Sequence, residues 1–339
     1  VNDEQNIPFL YVLEFENQEV EGKVTEGVML VSADRRTMPV LAYNTDGKFS
    51  TEDEGAKIWI EHFKTELKHI RAKYTEPNKI TEGLWKEFEA KNVRLNGGGK
   101  EGPNTCDPDS YYSGPVLIST QWRQGAGYNF YSPARSCGPD GKAYTGCGPL
   151  AIAQLYNYHQ KPANSSGMAG ITPFVTFNYP LSGGSSNLEI ANLIRIAGHN
   201  CSATYTTLPN CNTFNWRENI KTAFQNAGYT NSGTREQFQY GAITTVVNNL
   251  KAGYPVIMDG TTQFLGFEDW HFWILDGVVE NIYWDYIPEN DYCVGYHYRY
   301  FHNNWGVSTY SDGWYALGNF NGDGEVYDTH LNVTRSIIP

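Results

Sequence analysis

The period of the apolar positions changes along the chain. FLYVLEF (9–15) and VMLVSA (28–33) read as strands, and MPVLAY (38–43) is a third candidate. Trp59, Phe63, Leu67 and Ile70 then recur at helical spacing inside AKIWIEHFKTELKHIRAKY (56–74), giving one apolar face of an amphipathic helix. The acidic run TEDEG (51–55) reads as that helix's start, since carboxylates favour the positive end of the helix dipole. Beyond residue 116 three more helices are predicted: one opening in YTGCGPLAIAQLYNYHQKP (144–162), then NLEIANLIRIAGH (187–199) and NIKTAFQNAGY (219–229). Strand-like stretches follow: PVIMDGT, HFWILDGVV, YRYFHNNWG and SDGWYALGNF. Helices first and strands later, without βα alternation, predict an α+β fold rather than a doubly wound sheet.

KNVRLNGGGKEGPNTCDPDS (91–110) holds three consecutive glycines, two prolines and little to bury. It divides the chain into a small α+β unit over residues 1–90, a linker over 91–115 and a larger unit over 116–339. Arg94 and Lys100 make the linker an accessible proteolytic target.

Composition narrows the function. A net charge of −12 over 339 residues argues against nucleic acid or an anionic membrane as the main partner. No apolar run approaches the roughly 20 residues of a membrane-spanning helix. The 24 Tyr, 16 Phe and 9 Trp suit β-structure and a groove that grips an extended chain. None of the six cysteines forms a C-x-x-C pair and no His/Cys cluster has zinc spacing, so a structural metal is not expected, and the Cys-His chemistry described below needs no cofactor. Cys201 and Cys211 are close enough to close a small disulfide loop. NFNGDG (319–324) resembles the opening of a calcium loop, but His330 stands where an EF-hand needs Glu, and a plain turn is the default. The chain starts at VNDEQ, without a charged-then-apolar leader.

The chemistry gathers around Cys147. Gly146 and Gly148 flank it, Pro149 suits a first helical turn, and Leu150, Ala151, Leu155 and Tyr158 form a buried stripe. A thiol at a buried helix N-terminus is favoured in its nucleophilic thiolate form, whereas the bland reading is a packed cysteine or half a disulfide with Cys137. A nucleophilic thiol needs a base. His159 lies about three helical turns away, but His271 opens the strand HFWILDG directly after GFEDW. In HNNWG (302–306), Asn304 or Trp305 can hold the imidazole's tautomer and shield it from water. In TQWRQGAGYN (120–129), the Gln124 amide can help bind an oxyanion. Gly146 and Gly148 leave room for a substrate backbone, and they join Trp270, next to His271, as candidate substrate-binding residues.

Taken together, the blocks GVMLVSADRRTMPVLAYNTDGKFS, QGAGYN, TGCGPLAIAQLYNYHQKP, HFWILDG, HNNWG and SDGWYALG resemble the streptopain family of papain-like cysteine peptidases in zymogen form. The resemblance implies a papain-like catalytic domain, with helices packed on an antiparallel sheet or barrel-like half. It implies Cys147 as nucleophile, His271 as general base and acid, Gln124 as oxyanion donor, and Asn304 and Trp305 as positioning residues. Residues 1–90 would be an inhibitory propeptide, the linker would hold the activating cut, and the product would be a secreted, cell-surface or periplasmic bacterial endopeptidase acting on proteins or peptides.

Three stretches depart from the family pattern. Gly148-Pro149 replaces small aliphatic residues, Gly306-Val307-Ser308-Thr309 replaces Gly-Trp-Gly-Gly, and YWDYIPENDYCVGYHYRY (283–300) is a long insert that could reshape or cover the cleft. Two other functions use the same residues: a Cys-His acyltransferase or amidase, and a peptidase-derived binding protein without turnover.

Overall fold

The chain opens with three antiparallel strands, β1 (Leu10–Val20), β2 (Lys23–Ser32) and β3 (Val40–Asn44), followed by helices α1 (Glu54–Lys73) and α2 (Lys79–Glu89). This is a computed structural model. It describes residues 1–2, 6–20, 23–45, 47–90, 106–125, 127–165, 174–184, 187–205, 211–264, 267–287, 292–307, 311–317 and 331–339. Most of the expected linker (91–105) and all of NFNGDG lie outside the described residues.

From Cys106 the chain is anchored rather than loose. Cys106 is disulfide-bonded to Cys293, and β4 (Ser110–Ser113) pairs with β9 (Phe267–Ile287). The helical part follows: α3 (Cys147–His159), α4 (Leu188–Asn200), the small ribbon of β5 (Thr204–Tyr205) and β6 (Thr213–Phe214), and α5 (Asn219–Asn226). Then come β7 (Asn231–Gln237), α6 (Tyr240–Lys251), β8 (Val256–Phe264), β9, β10 (Tyr292–Asn304), β11 (Gly313–Ala316) and β12 (Asn332–Ile338). The result is a mixed α+β fold, as the order of helices and strands predicts.

The sheet order is β1-β2-β3-β11-β10-β9-β8-β12-β7, with β4 beside β9. Residues 1–90 therefore extend the sheet of the larger unit through β3–β11, where Tyr43 opposes Trp314. Side chains on β9 alternate between two cores, as the period of a strand requires. Trp273 and Leu275 join Phe9, Leu30, Trp59, Phe63, Phe301 and Trp305 beneath α1. Phe272 and Ile274 join the α3–α4–α5 core on the opposite face. Helix α3 is buried at every position from Gly148 to Asn157, which suits its largely apolar sequence.

The structure corrects several expectations. β9 starts at Phe267, so His271 lies inside a strand instead of at its mouth. Within the insert, residues 283–287 and 292–300 form the distal half of the β9–β10 hairpin and run away from His271 rather than over it. Tyr286 opposes Cys293 there, whereas Ile274 opposes Asn304 at the other end. Tyr298 and Tyr300 pack against residues 1–90: the Tyr298 hydroxyl meets Thr81 Oγ1 at 3.2 Å, and the Tyr300 hydroxyl donates to the Val40 carbonyl at 2.7 Å. The disulfides are Cys106–Cys293 and Cys137–Cys211, and Cys147 and Cys201 are free. Cys211 is taken by Cys137 instead of Cys201, which sits in the α3–α4–α5 core, and that burial pushes the Cys201 thiol pKa up to about 12.

Candidate active site

Cys147 is the first residue of α3, partly exposed, and follows Gly146 at φ 89°, a left-handed conformation that glycine adopts freely. No side chain caps this end. The first intrahelical bond runs from the Leu150 N–H to the Gly146 carbonyl at 3.1 Å, which leaves the Cys147 and Gly148 amides outside the ladder. Amides in that position are suited to hold an anionic oxygen.

Neighbouring segments fix the approach to Cys147. The Gln124 carbonyl accepts the Thr145 N–H at 2.9 Å, tying Gln124 beside the Cys147 loop, with its side chain half-buried. The Thr213 hydroxyl donates to the Tyr144 carbonyl at 2.5 Å, and the Tyr144 N–H donates to the Cys211 carbonyl at 3.3 Å. The ribbon thus presses on the Cys147 loop, and the Cys137–Cys211 bridge pins it. A Cβ on Gly148 would come within 2.2 Å of Asn215 Oδ1. This explains the departure at Gly148: in this chain the buried Asn215 side chain fills the space that a larger residue after the cysteine would occupy.

His271 is 2% exposed, on the face of β9 that α1 covers. Its Nε2–H donates to the Trp305 carbonyl at 2.9 Å. Its Nδ1 is left for the thiol and for Glu54, whose Oε2 lies 3.3 Å away. Burial opposes the charged imidazole, but the Cys147 thiol group and the Glu54 carboxylate outweigh it and hold the His271 pKa well above the ordinary histidine range. The ring also lies parallel to the Trp273 indole at 6.3 Å between centroids.

The expected positioning residues divide their roles. Trp305 is fully buried against Trp273 and Tyr315, with ring centroids 5.0 and 5.4 Å away, and its carbonyl anchors His271. Asn304 does not bond to His271. Its amide group donates to the Thr120 carbonyl at 2.9 Å, and its Oδ1 accepts from Gln154 at 3.2 Å. The strand alternation turns Asn304 towards α3 and away from the imidazole. Trp270 is half-buried under the Arg217 guanidinium, 3.1 Å from its ring centroid, on the strand that carries His271.

Two participants were missed by sequence reasoning. TEDEG is a helix start, with the Asp53 side chain accepting the Gly55 N–H, but it also delivers Glu54 to His271. Gly55 presses against Trp305, where an added Cβ would stand 2.1 Å from Cε3. The other is Asp312, whose Oδ1 accepts the Trp305 N–H at 2.8 Å. Its only signal in the sequence was its place in the SDGWYALG block. Among the described residues, no group of three or more His, Cys, Asp or Glu is placed to hold a metal ion, and no helix is long and apolar enough to cross a membrane.

No curated protein matches this chain. Among solved structures, a cysteine-to-alanine mutant of a Prevotella intermedia prointerpain A fragment is similar over 97% of this chain and 99% of that chain, at 17% identity and a TM-score of 0.55. Active wild-type P. intermedia interpain A cysteine protease is similar over 67% and 96%, at 18% identity and a TM-score of 0.45. The first of these likenesses extends through residues 1–90 and gives the fold. The Peptidase C10 family matches residues 122–177 and 176–315, from the Gln124 segment through His271 to β11. The chain belongs to the Peptidase C10 family, the streptopain family of cysteine peptidases that its motifs resemble.

Proposed function

We propose that this chain is the proenzyme of a secreted bacterial cysteine endopeptidase, with residues 1–90 as inhibitory propeptide, 91–115 as the region holding the activating cut, and 116–339 as the catalytic unit. The observation that carries this reading is His271, held through Nε2 by the Trp305 carbonyl, with the Glu54 carboxylate 3.3 Å from Nδ1 and Cys147 close enough to raise the ring's pKa. His271 takes the Cys147 proton, and the thiolate attacks the peptide carbonyl. The Cys147 amide and the Gln124 side chain hold the oxyanion. His271 then protonates the leaving amine, and water hydrolyses the thioester.

In the uncut chain, Glu54 occupies the acidic partner position at His271 while Gly55 covers Trp305, so the start of α1 stands where substrate must enter. Two disulfides linking four of the six cysteines suit an oxidising, extracellular setting. Cutting the chain within 91–105 and adding a thiol-directed peptide inhibitor tests the reading. Cys147 should be the labelled residue, proteolysis should rise sharply over the uncut chain, and Cys147→Ala should abolish both. Proteolysis surviving in Cys147→Ala would remove the assignment, and equal activity before and after cutting would remove the inhibitory role.

A further inference from the structure

In the site described above, the hydrogen bond that fixes the imidazole comes from a main-chain carbonyl. A carbonyl holds a ring only as firmly as its own peptide is held. Trp305 lies at the end of β10, where strand pairing stops, since Asn304 is the last residue of the ladder. What secures it is the segment just ahead of β11. Asp312 Oδ1 accepts the Trp305 N–H at 2.8 Å, and the Ser311 carbonyl accepts the Trp305 indole N–H at 2.9 Å. We infer that Asp312 is a positioning residue for the dyad: its side chain clamps the Trp305 main chain so that the Trp305 carbonyl keeps the His271 Nε2–H and Nδ1 stays turned to Cys147. This inference rests on the Cys147–His271 reading and gives Asp312, through Trp305, the orienting role that the sequence assigned to Asn304.

The surroundings make the clamp responsive to protonation. Asp312 faces His302 from β10, Asp276 from β9 and the helix-capping Asp53 from α1. His302 Nδ1 is paired with Asp276 Oδ1 at 2.7 Å, and Asp276 Oδ2 also accepts the Ile118 N–H at 3.1 Å, so His302 is already committed to another carboxylate. Burial, with the like charges of Asp276 and Asp53, raises the Asp312 pKa to about 7 against the lowering effects of the Trp305 N–H and His302. A polar cavity of about 240 Å³, lined in part by Gln121, His302, Asn304 and Asp312, borders the group and gives protons a path to it. Above about pH 7 the carboxylate accepts a charge-assisted bond from Trp305, and below it the neutral carboxyl accepts a weaker one.

Asp312→Asn keeps an acceptor oxygen without charge, and Asp312→Ala removes both. On peptide substrate, the cut Asp312→Ala protein should lose on the order of tenfold or more in kcat with KM little changed, whereas Asp312→Asn should stay within a few-fold. A second readout needs no activity. In the uncut Cys147→Ala chain, the His271 Nε2–H should give a hydrogen-bonded downfield proton resonance, identified by its loss in His271→Ala. Its shift should inflect near pH 7, and Asp312→Asn should flatten that inflection. The same inflection in Asp312→Asn, or an unchanged kcat in Asp312→Ala, would overturn the inference. Failure of the dyad itself would instead show as activity surviving in Cys147→Ala, with the resonance still reporting on Asp312.

Discussion

Two helices begin at the candidate site, and they begin in opposite ways. Helix α1 closes its own N-terminus: Asp53 caps it, and the two residues that follow are turned outward onto the site, Glu54 to His271 and Gly55 to the Trp305 indole. Helix α3 leaves its N-terminus open, with no side-chain cap and with Cys147 in the first position. A satisfied helix end can serve as a plug, because nothing in it competes for a ligand. An unsatisfied one can serve as an oxyanion site, because its amides lack partners until substrate arrives. On the proposed function, the same local element serves latency in one place and chemistry in the other, and the capping residue marks which is which.

The largest expected effect tests the open end. Gly148→Ala places a Cβ within 2.2 Å of Asn215 Oδ1, inside a ribbon that the Cys137–Cys211 bridge does not let retreat. The displacement falls on the amides beside Cys147, and a misplacement of about 1 Å at a reacting centre can cost about 100-fold in rate. A loss of that order in kcat is expected for the cut protein, with most of it recovered in Gly148→Ala/Asn215→Ala. A fully active Gly148→Ala would mean that Asn215 yields freely and that the contact does not shape the site.

The closed end is tested at Gly55. A methyl group there meets the Trp305 ring at 2.1 Å, and the fully buried Trp305 has no room to move between Trp273 and Tyr315. Overpacking of this kind costs about 1–3 kcal/mol, so Gly55→Ala should raise the activity of the uncut chain by on the order of tenfold. The cut protein should be unchanged, because α1 has left. A uncut chain that stays as silent as wild type would show that the plug does not depend on this contact.

Much of the α3 end was legible in the sequence, and little of the α1 end was. Gly146, Cys147 and Pro149 are neighbours in the chain, so turn, thiol and helix start are written locally, and α3 begins where they predict. His271 stands out because it opens the apolar run HFWILDG, a sensible position for a base facing a cleft. Glu54 carried no such mark: a carboxylate in a first helical turn is what the helix dipole favours anyway, and its meeting with His271 is a tertiary fact. Cys211 failed in the same manner. Proximity in sequence suggested Cys201, but folding carries Cys201 into the α4 core and Cys211 onto the Cys137 loop. Helix α2 is as legible as α1, since Ile80, Leu84 and Phe88 follow the same helical spacing. Asn304 is expected from the sequence to position the imidazole, but its side chain is spent on Thr120 and Gln154, and the ring is held by the main-chain carbonyl of the next residue.

The smallest expected effect, and the most diagnostic, is the pH dependence of the Glu54–His271 pair. The bond to His271 lowers the Glu54 pKa below its ordinary value of 4.5, with burial opposing. Its contribution to docking is therefore present above about pH 4.5 and is lost as pH falls through the lowered value. The His271 pKa is held well above 6.5, so its contribution is complete below 6.5 and is lost only as pH rises through that higher value. The pair is thus fully formed between these limits, and acid should loosen α1 from the site. Because the Glu54 side chain is 49% exposed, solvent screens the pair, and a worth of about 0.2–1 kcal/mol translates into no more than about fivefold. The rate of Cys147 alkylation by iodoacetamide in the uncut chain, corrected for the thiol's own titration in the cut protein, measures it directly. Wild type should become more accessible as pH falls below 4.5, and Glu54→Gln should be more accessible at pH 6 and lack that acid rise. If Glu54→Gln leaves both accessibility and acid response as they are, the plug is held by the Gly55–Trp305 packing and the shared sheet, and the carboxylate is a bystander beside the base.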